Sequence, residues 1–178
     1  MIDLQKFCCK PHDNRYNLEH PFSRGEWTYA TNGHIAVRVP RVADSFDNKD
    51  SPAAETLSWP TAGMKFTAAP KIEIPRLKEW ECQTCDGRGS KHDCPDCNCS
   101  CDVCFGTGQQ IEKISVGVGP SVFNARYVSL ALALPNLEFG PLHKIEPVPF
   151  RFDGGQGLLM PMRSTFTRHV QVDLAEAA

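Results

Sequence analysis

Four cysteines set the first chemical constraint on this chain. Cys82 and Cys85 form one C-x2-C pair, Cys101 and Cys104 form another, and fifteen residues separate the pairs. Two such pairs supply the four sulfurs of a tetrahedral zinc site, and their spacing falls in the range of one. Each pair runs into Gly-x-Gly, with Gly87 and Gly89 after the first and Gly106 and Gly108 after the second. Glycine admits the positive φ values that bend a backbone around an ion. A zinc closed in by four cysteines keeps no position for water, so the expected Zn2+ is structural and not catalytic.

The residues between the pairs add His92, Cys94, Cys97 and Cys99. These four are the ligands of an expected second zinc. The alternatives are one zinc with loose thiols beside it, or exchange of ligands between sites, since Cys99 lies two residues from Cys101. Thiolates already bound to metal are poor redox nucleophiles, so a redox role is not assigned. Cys8 and Cys9, far from the cluster, read as ordinary core or helix residues. Trp80, beside the first pair, is expected to pack at the junction between the cysteine-rich segment and the rest.

The repeated C-x2-C-x-G-x-G resembles the cysteine-rich zinc finger of DnaJ-type co-chaperones over about residues 82–108. The resemblance implies motifs that join at the base of a hairpin and hold one zinc. The middle departs from that family, because His92 to Cys99 contains one C-x2-C and no Gly-x-Gly. No His-Pro-Asp tripeptide marks a J-domain, so the resemblance does not make the chain a co-chaperone.

The elements around the cysteines read differently. The stretch from Glu26 to Val39 is a hairpin, with Trp27, Tyr29 and Thr31 alternating on one strand, Ile35, Val37 and Val39 on the other, and Asn32-Gly33 suited to a type I′ turn. A second hairpin runs from Phe150 and Phe152 through the Gly-rich 153–157 into Leu158 to Met162. Phe123, Tyr127, Leu130 and Leu134 share one helical face. Asn124 caps that helix, Phe123 staples onto Val128 and Pro135 ends it. A shorter helix is expected over Ile2 to Cys9. Residues 43–69 read as loop with one strand near Lys65 to Thr67, and Ile111 to Val118 as a strand leaving the cysteine module.

Two short stretches carry a second resemblance. Ala30-Thr-Asn-Gly-His34 is similar to the Ala-Thr-Asp-Gly-His stretch of bacterial DNA sliding clamps, and Met160-Pro-Met-Arg163 to the end of those clamps. The resemblance implies an α+β, clamp-like domain of antiparallel sheet and two helices over residues 1–79 and 110–178, interrupted by a zinc-binding hairpin module over 80–109. It also implies a partner-binding groove lined by Thr31, Gly33, His34, Met160, Pro161, Met162 and Arg163. On the residues alone, Met160 and Met162 equally read as strand residues packing into the core, and His34 as an exposed turn residue. A clamp ring needs six such domains and this chain has one, so an oligomer is not established. Fifteen residues also follow Arg163, where clamps end.

The net charge of −2 lacks the basic excess that phosphate binding favours, which weakens DNA binding as a role without removing it. No P-loop, HExxH or deaminase His-x-Glu pattern occurs. The longest apolar stretch, 128–134, is interrupted by Ser129 and is too short to cross a membrane. The N-terminus lacks a basic start and a long apolar core, so no signal peptide is expected; the cysteine usage points to the reducing cytoplasm. The expected function is that of a non-enzymatic, zinc-binding interaction protein with protein partners, an adaptor associated with DNA replication or of phage type. The alternative is a chaperone-like zinc module that holds unfolded or specific protein segments.

Overall fold

The structure, a computed structural model, describes residues 2–9, 18–42, 46–47, 57, 59–71, 73–91, 99–104 and 106–172. Its strands are β1 (Phe22–Arg24), β2 (Trp27–Thr31), β3 (Ile35–Pro40), β4 (Phe46–Asp47), β5 (Thr67–Ala68), β6 (Glu79–Glu81), β7 (Gln109–Ile111), β8 (Ile114–Val118), β9 (Ser121–Asn124), β10 (Glu138–Phe139), β11 (Val148–Phe152), β12 (Gly155–Leu159) and β13 (Arg168–Val172). One α-helix, α1 (Ala125–Leu132), follows β9 directly.

Eight strands form one sheet in the order β4-β1-β2-β3-β12-β11-β10-β5. All of its pairings are antiparallel except β1 with β4. A second sheet has the order β13-β8-β9, with β13 parallel to β8. The third is the two-stranded ribbon β6–β7, which carries the cysteine segment and is called the arm here together with that segment. The body's core gathers Ile35 and Val37 of β3, Phe150 and Phe152 of β11, Val116 and Val118 of β8, and Val128 of α1. Both faces of the large sheet are covered at β2, because Ala30 joins that core while Tyr29 packs with Cys9, Leu18 and Phe22 in a smaller cluster.

This architecture corrects the expected α+β clamp-like fold with two helices. The chain is mostly sheet, 36% strand against 9% helical, with a single α-helix among the described residues. The N-terminal segment is a 3-10 turn over Leu4–Phe7. Asp3 caps it through Gln5 N–H, but Cys8 is already extended, at φ −81 and ψ 164. Leu4 and Phe7 reach the core from this single turn, and Cys8 and Cys9 are buried from the extended chain that follows it. The helix α1 follows its sequence signals: Asn124 accepts from Arg126 N–H, and Ala133 caps its C-terminal end two residues before Pro135.

The first hairpin turns one residue later than the sequence suggests. Asn32 Oδ1 accepts from the amides of His34 and Ile35 at 3.0 and 3.2 Å. Gly33 takes φ +83, the sign that a type II′ turn requires at its first central residue. The side chain of Asn32 thereby closes the turn over Gly33-His34.

Candidate metal centre

The two knuckles are related residue by residue. Cys82 N–H donates to Gly108 O and Cys101 N–H to Gly89 O, each at 2.8 Å, so each pair's first cysteine is tied to the other motif's last glycine. Within each knuckle the first glycine's amide donates back to the first cysteine, Gly87 to Cys82 O at 3.1 Å and Gly106 to Cys101 O at 3.3 Å. The second cysteine's sulfur accepts from the last glycine, Gly89 N–H to Cys85 Sγ and Gly108 N–H to Cys104 Sγ, both at 3.3 Å.

The outer glycines have a second reason to be glycine. A Cβ on Gly108 would lie 2.1 Å from Gly87 O, and one on Gly89 would lie 2.4 Å from Gly106 O. Both residues also sit in the left-handed region, at φ +70 and +78. The knuckles are therefore pressed backbone to backbone, which brings the four sulfurs together.

Cys82, Cys85, Cys101 and Cys104 lie with their sulfurs within 4.8 Å of one another, and form a group that could hold one metal ion. Cys82 and Cys101 are 3.9 Å apart, and Cys85 and Cys104 3.7 Å. A tetrahedral zinc with ordinary Zn–S bonds sets its sulfurs about 3.8 Å apart, so the donor set fits that ion. All four residues are at most 4% exposed. The second cysteines of the two knuckles titrate apart. Burial pushes Cys85 up to about 11, outweighing the Gly89 amide. Burial acts upward on Cys104 too, but the Gly108 amide and the hydrogen bonds from the other three thiols bring it down to about 7. Of these two, Cys104 is the first to present a thiolate to an incoming cation.

The other expected ligands divide. His92, Cys94 and Cys97 lie outside the described residues. Cys99 is exposed and is not one of the four clustered sulfurs. Cys8 and Cys9 are buried in the body, and burial, aided by the neighbouring Cys9, pushes the Cys8 thiol up to about 12. Trp80 does not pack at a junction; it is 43% exposed, with its indole N–H donated to Gln110 Oε1 at 2.9 Å.

The 30–34 and 160–163 stretches meet. Met160 N–H donates to His34 O at 2.9 Å, extending the β3–β12 ladder, and Met162 N–H donates to Val122 O. Thr31 is buried, its hydroxyl donating to Ile35 O and accepting from Gly33 N–H. Gly33, His34 and Arg163 are exposed, Pro161 and Met162 half-buried. Met160 is 38% exposed and lies beyond the end of β12. The His34 ring stacks on Tyr127 of α1 with centroids 4.8 Å apart. Sequence reasoning missed Tyr127 here, having placed it on the helix's apolar face.

Sequence reasoning also missed how the arm is tied to the body. Glu112 N–H donates to Lys78 O at 2.8 Å, and the Glu112 carboxylate accepts from Lys78 N–H at 3.3 Å and from Arg168 of β13 at 2.8 Å. No helix is long and apolar enough to cross a membrane among the described residues. No protein family matches the chain, and neither does any curated protein or solved structure.

Proposed function

We propose that the chain is a non-enzymatic interaction protein, whose arm is organised by Zn2+ and whose body serves as an adaptor in DNA replication. The observation that carries this reading is the closed set of four buried sulfurs at the spacing of a tetrahedral zinc. Four thiolates fill the ion's coordination shell, so its work is to fold the arm and not to activate water. The adaptor role is supported by the meeting of the 30–34 and 160–163 stretches at one end of the large sheet, where His34, Met160 and Arg163 are exposed.

A second zinc on His92, Cys94, Cys97 and Cys99 belongs to the same proposal. Lys91 N–H donates to Cys99 O at 2.9 Å, and Ser90 and Ser100 form a bridge. The chain thus leaves and re-enters at one point, and the four ligands, one histidine and three cysteines, fall within the nine residues of sequence between Ser90 and Ser100. Charge divides the two parts. Residues 79–111 hold Glu79, Glu81, Asp86, Asp93, Asp96 and Asp102 against Arg88 and Lys91, a net of −4, so the remainder of this −2 chain carries +2. A zinc held by four thiolates adds −2 to the arm. Any contact with DNA therefore falls to the body.

Metal analysis of the reduced, purified chain tests the first part. Two zinc ions per chain are expected; a ratio near one removes the second site, and none overturns the reading. Duplex DNA binding that weakens steeply with salt supports the replication role. Its absence, with suppression of a client's aggregation by the zinc-loaded chain, favours the chaperone-like alternative. Sedimentation as a monomer excludes a ring.

A further inference from the structure

We propose that the outer edge of β6 is a docking strand for an extended, cationic segment of a partner protein in which Lys or Arg alternates with apolar residues. The inference rests on the reading of the arm as a binding module and names its partner's chemistry.

The ribbon β6–β7 has two strands only, so each has one edge without a neighbour among the described residues. Antiparallel strands exchange hydrogen bonds at every second residue. Inward bonds occur at Lys78, whose carbonyl accepts from Glu112 N–H, and at Cys82, whose N–H donates to Gly108 O; the alternation places Trp80 toward β7 and turns the amides and carbonyls of Glu79 and Glu81 outward. All three residues of β6 are exposed.

Side chains alternate across the ribbon. Trp80 stands on one face, and Glu79 and Glu81 stand on the other. An added strand would meet the indole with every second side chain and the two carboxylates with the side chains between. The arm's own cations do not satisfy those carboxylates. Arg88 pairs with Asp86 at 3.7 Å and Lys91 pairs with Asp102, while neither Glu79 nor Glu81 has an ion-pair partner among the described residues.

The same charges select the occupant. Like charges on an exposed edge repel another copy of that edge, so a second copy of β6 is disfavoured. Nucleic acid is disfavoured by the arm's net negative charge. A strand bearing Lys or Arg toward Glu79 and Glu81 converts the repulsion into cross-strand ion pairs, and its apolar side chains cover Trp80. This is strand addition with side-chain selection on alternate positions.

Titration of the zinc-loaded full chain followed by NMR, with a short peptide alternating Lys and Val, tests the inference. The Glu79 and Glu81 amides should gain protection from exchange, the Trp80 indole resonance should shift, and the binding should weaken with salt. A peptide alternating Glu and Val should bind about tenfold more weakly. The double variant Glu79→Lys with Glu81→Lys should reverse that preference at unchanged metal content. Undiminished Lys–Val binding by the double variant, perturbation confined to other residues, or DNA bound at the ribbon would overturn it. A chain that holds its metal yet leaves the Lys–Val peptide unbound sinks this inference alone, whereas a chain without metal sinks the reading of the arm.

Discussion

In the body, side chains from both larger sheets, the helix and the N-terminal turn share one apolar cluster, whereas the buried cluster of the arm, among the described residues, is four cysteines. Burial of apolar surface at about 25 cal/mol per Å² stabilises the first. The second has too little such surface among the described residues, and on the proposed reading the bonds of its sulfurs to an ion would replace it. The difference separates what each part tolerates: the body depends on volume and packing, the arm on donor geometry and backbone contact.

Metal removal is the largest way to test that separation. Structural zinc sites contribute about 10–16 kcal/mol at neutral pH, more than a segment of this size can recover from packing. With a strong chelator, hydrogen exchange over residues 82–108 should rise to unfolded rates while β11 and β12 stay protected. Loss of protection in both together would show one cooperative unit. The mirror perturbation is Phe150→Ala. Phe150 is fully buried among body residues, and its truncation should cost about 3–5 kcal/mol. The body's thermal transition should fall while metal content per chain stays unchanged.

Glycine substitutions sharpen the comparison with a smaller effect. Gly33 and Gly108 both take positive φ, +83 and +70, so alanine costs each about 1–2 kcal/mol of backbone strain. Nothing lies within 4 Å of a Cβ at Gly33, whereas at Gly108 it meets a backbone carbonyl. Gly108→Ala should therefore weaken metal affinity by about tenfold or more, the equivalent of that strain alone, and Gly33→Ala should leave it unchanged. Competition with a chromophoric chelator measures both.

The sequence shows local rules well and distant ones poorly. The C-x2-C pairs, the Asn124 cap and the hairpin strands of 27–31 and 35–40 depend on neighbours a few residues away, and all were legible. The hairpin turn slipped by one because the Asn32 side chain competes with the backbone for the same amides. The N-terminal segment has helical spacing but closes only one 3-10 turn, because Cys8 and Cys9 reach buried positions from extended chain. The contact of Gly108 with Gly87 and the tie of Glu112 to Arg168 join distant residues by backbone shape and charge, which no periodicity records. Likewise β13 reads as polar, since Arg168, His169 and Gln171 are exposed, yet it pairs in parallel with the fully buried β8.

The smallest expected effect concerns the tie between the two regions. The hydrogen bond from Arg168 holds the Glu112 carboxyl below its ordinary range, against some desolvation and with help from the Lys78 amide. A carboxylate depressed in the folded state stabilises it above the unfolded pKa of about 4.3, and that contribution is lost as the pH falls through the lower folded value. The pair is solvent-exposed on the arginine side, so the effect on global stability is slight. Amide exchange at β13 is the sensitive readout, compared between the wild-type chain and Glu112→Gln at each pH. Acid releases zinc from both chains alike, so the difference between their curves isolates the carboxylate. That difference should be present at neutral pH and be lost only as the pH falls below about 4.3 through the lowered folded value; two chains that do not differ at neutral pH would assign the link to the backbone pairing of Lys78 with Glu112, which both retain, instead of to charge.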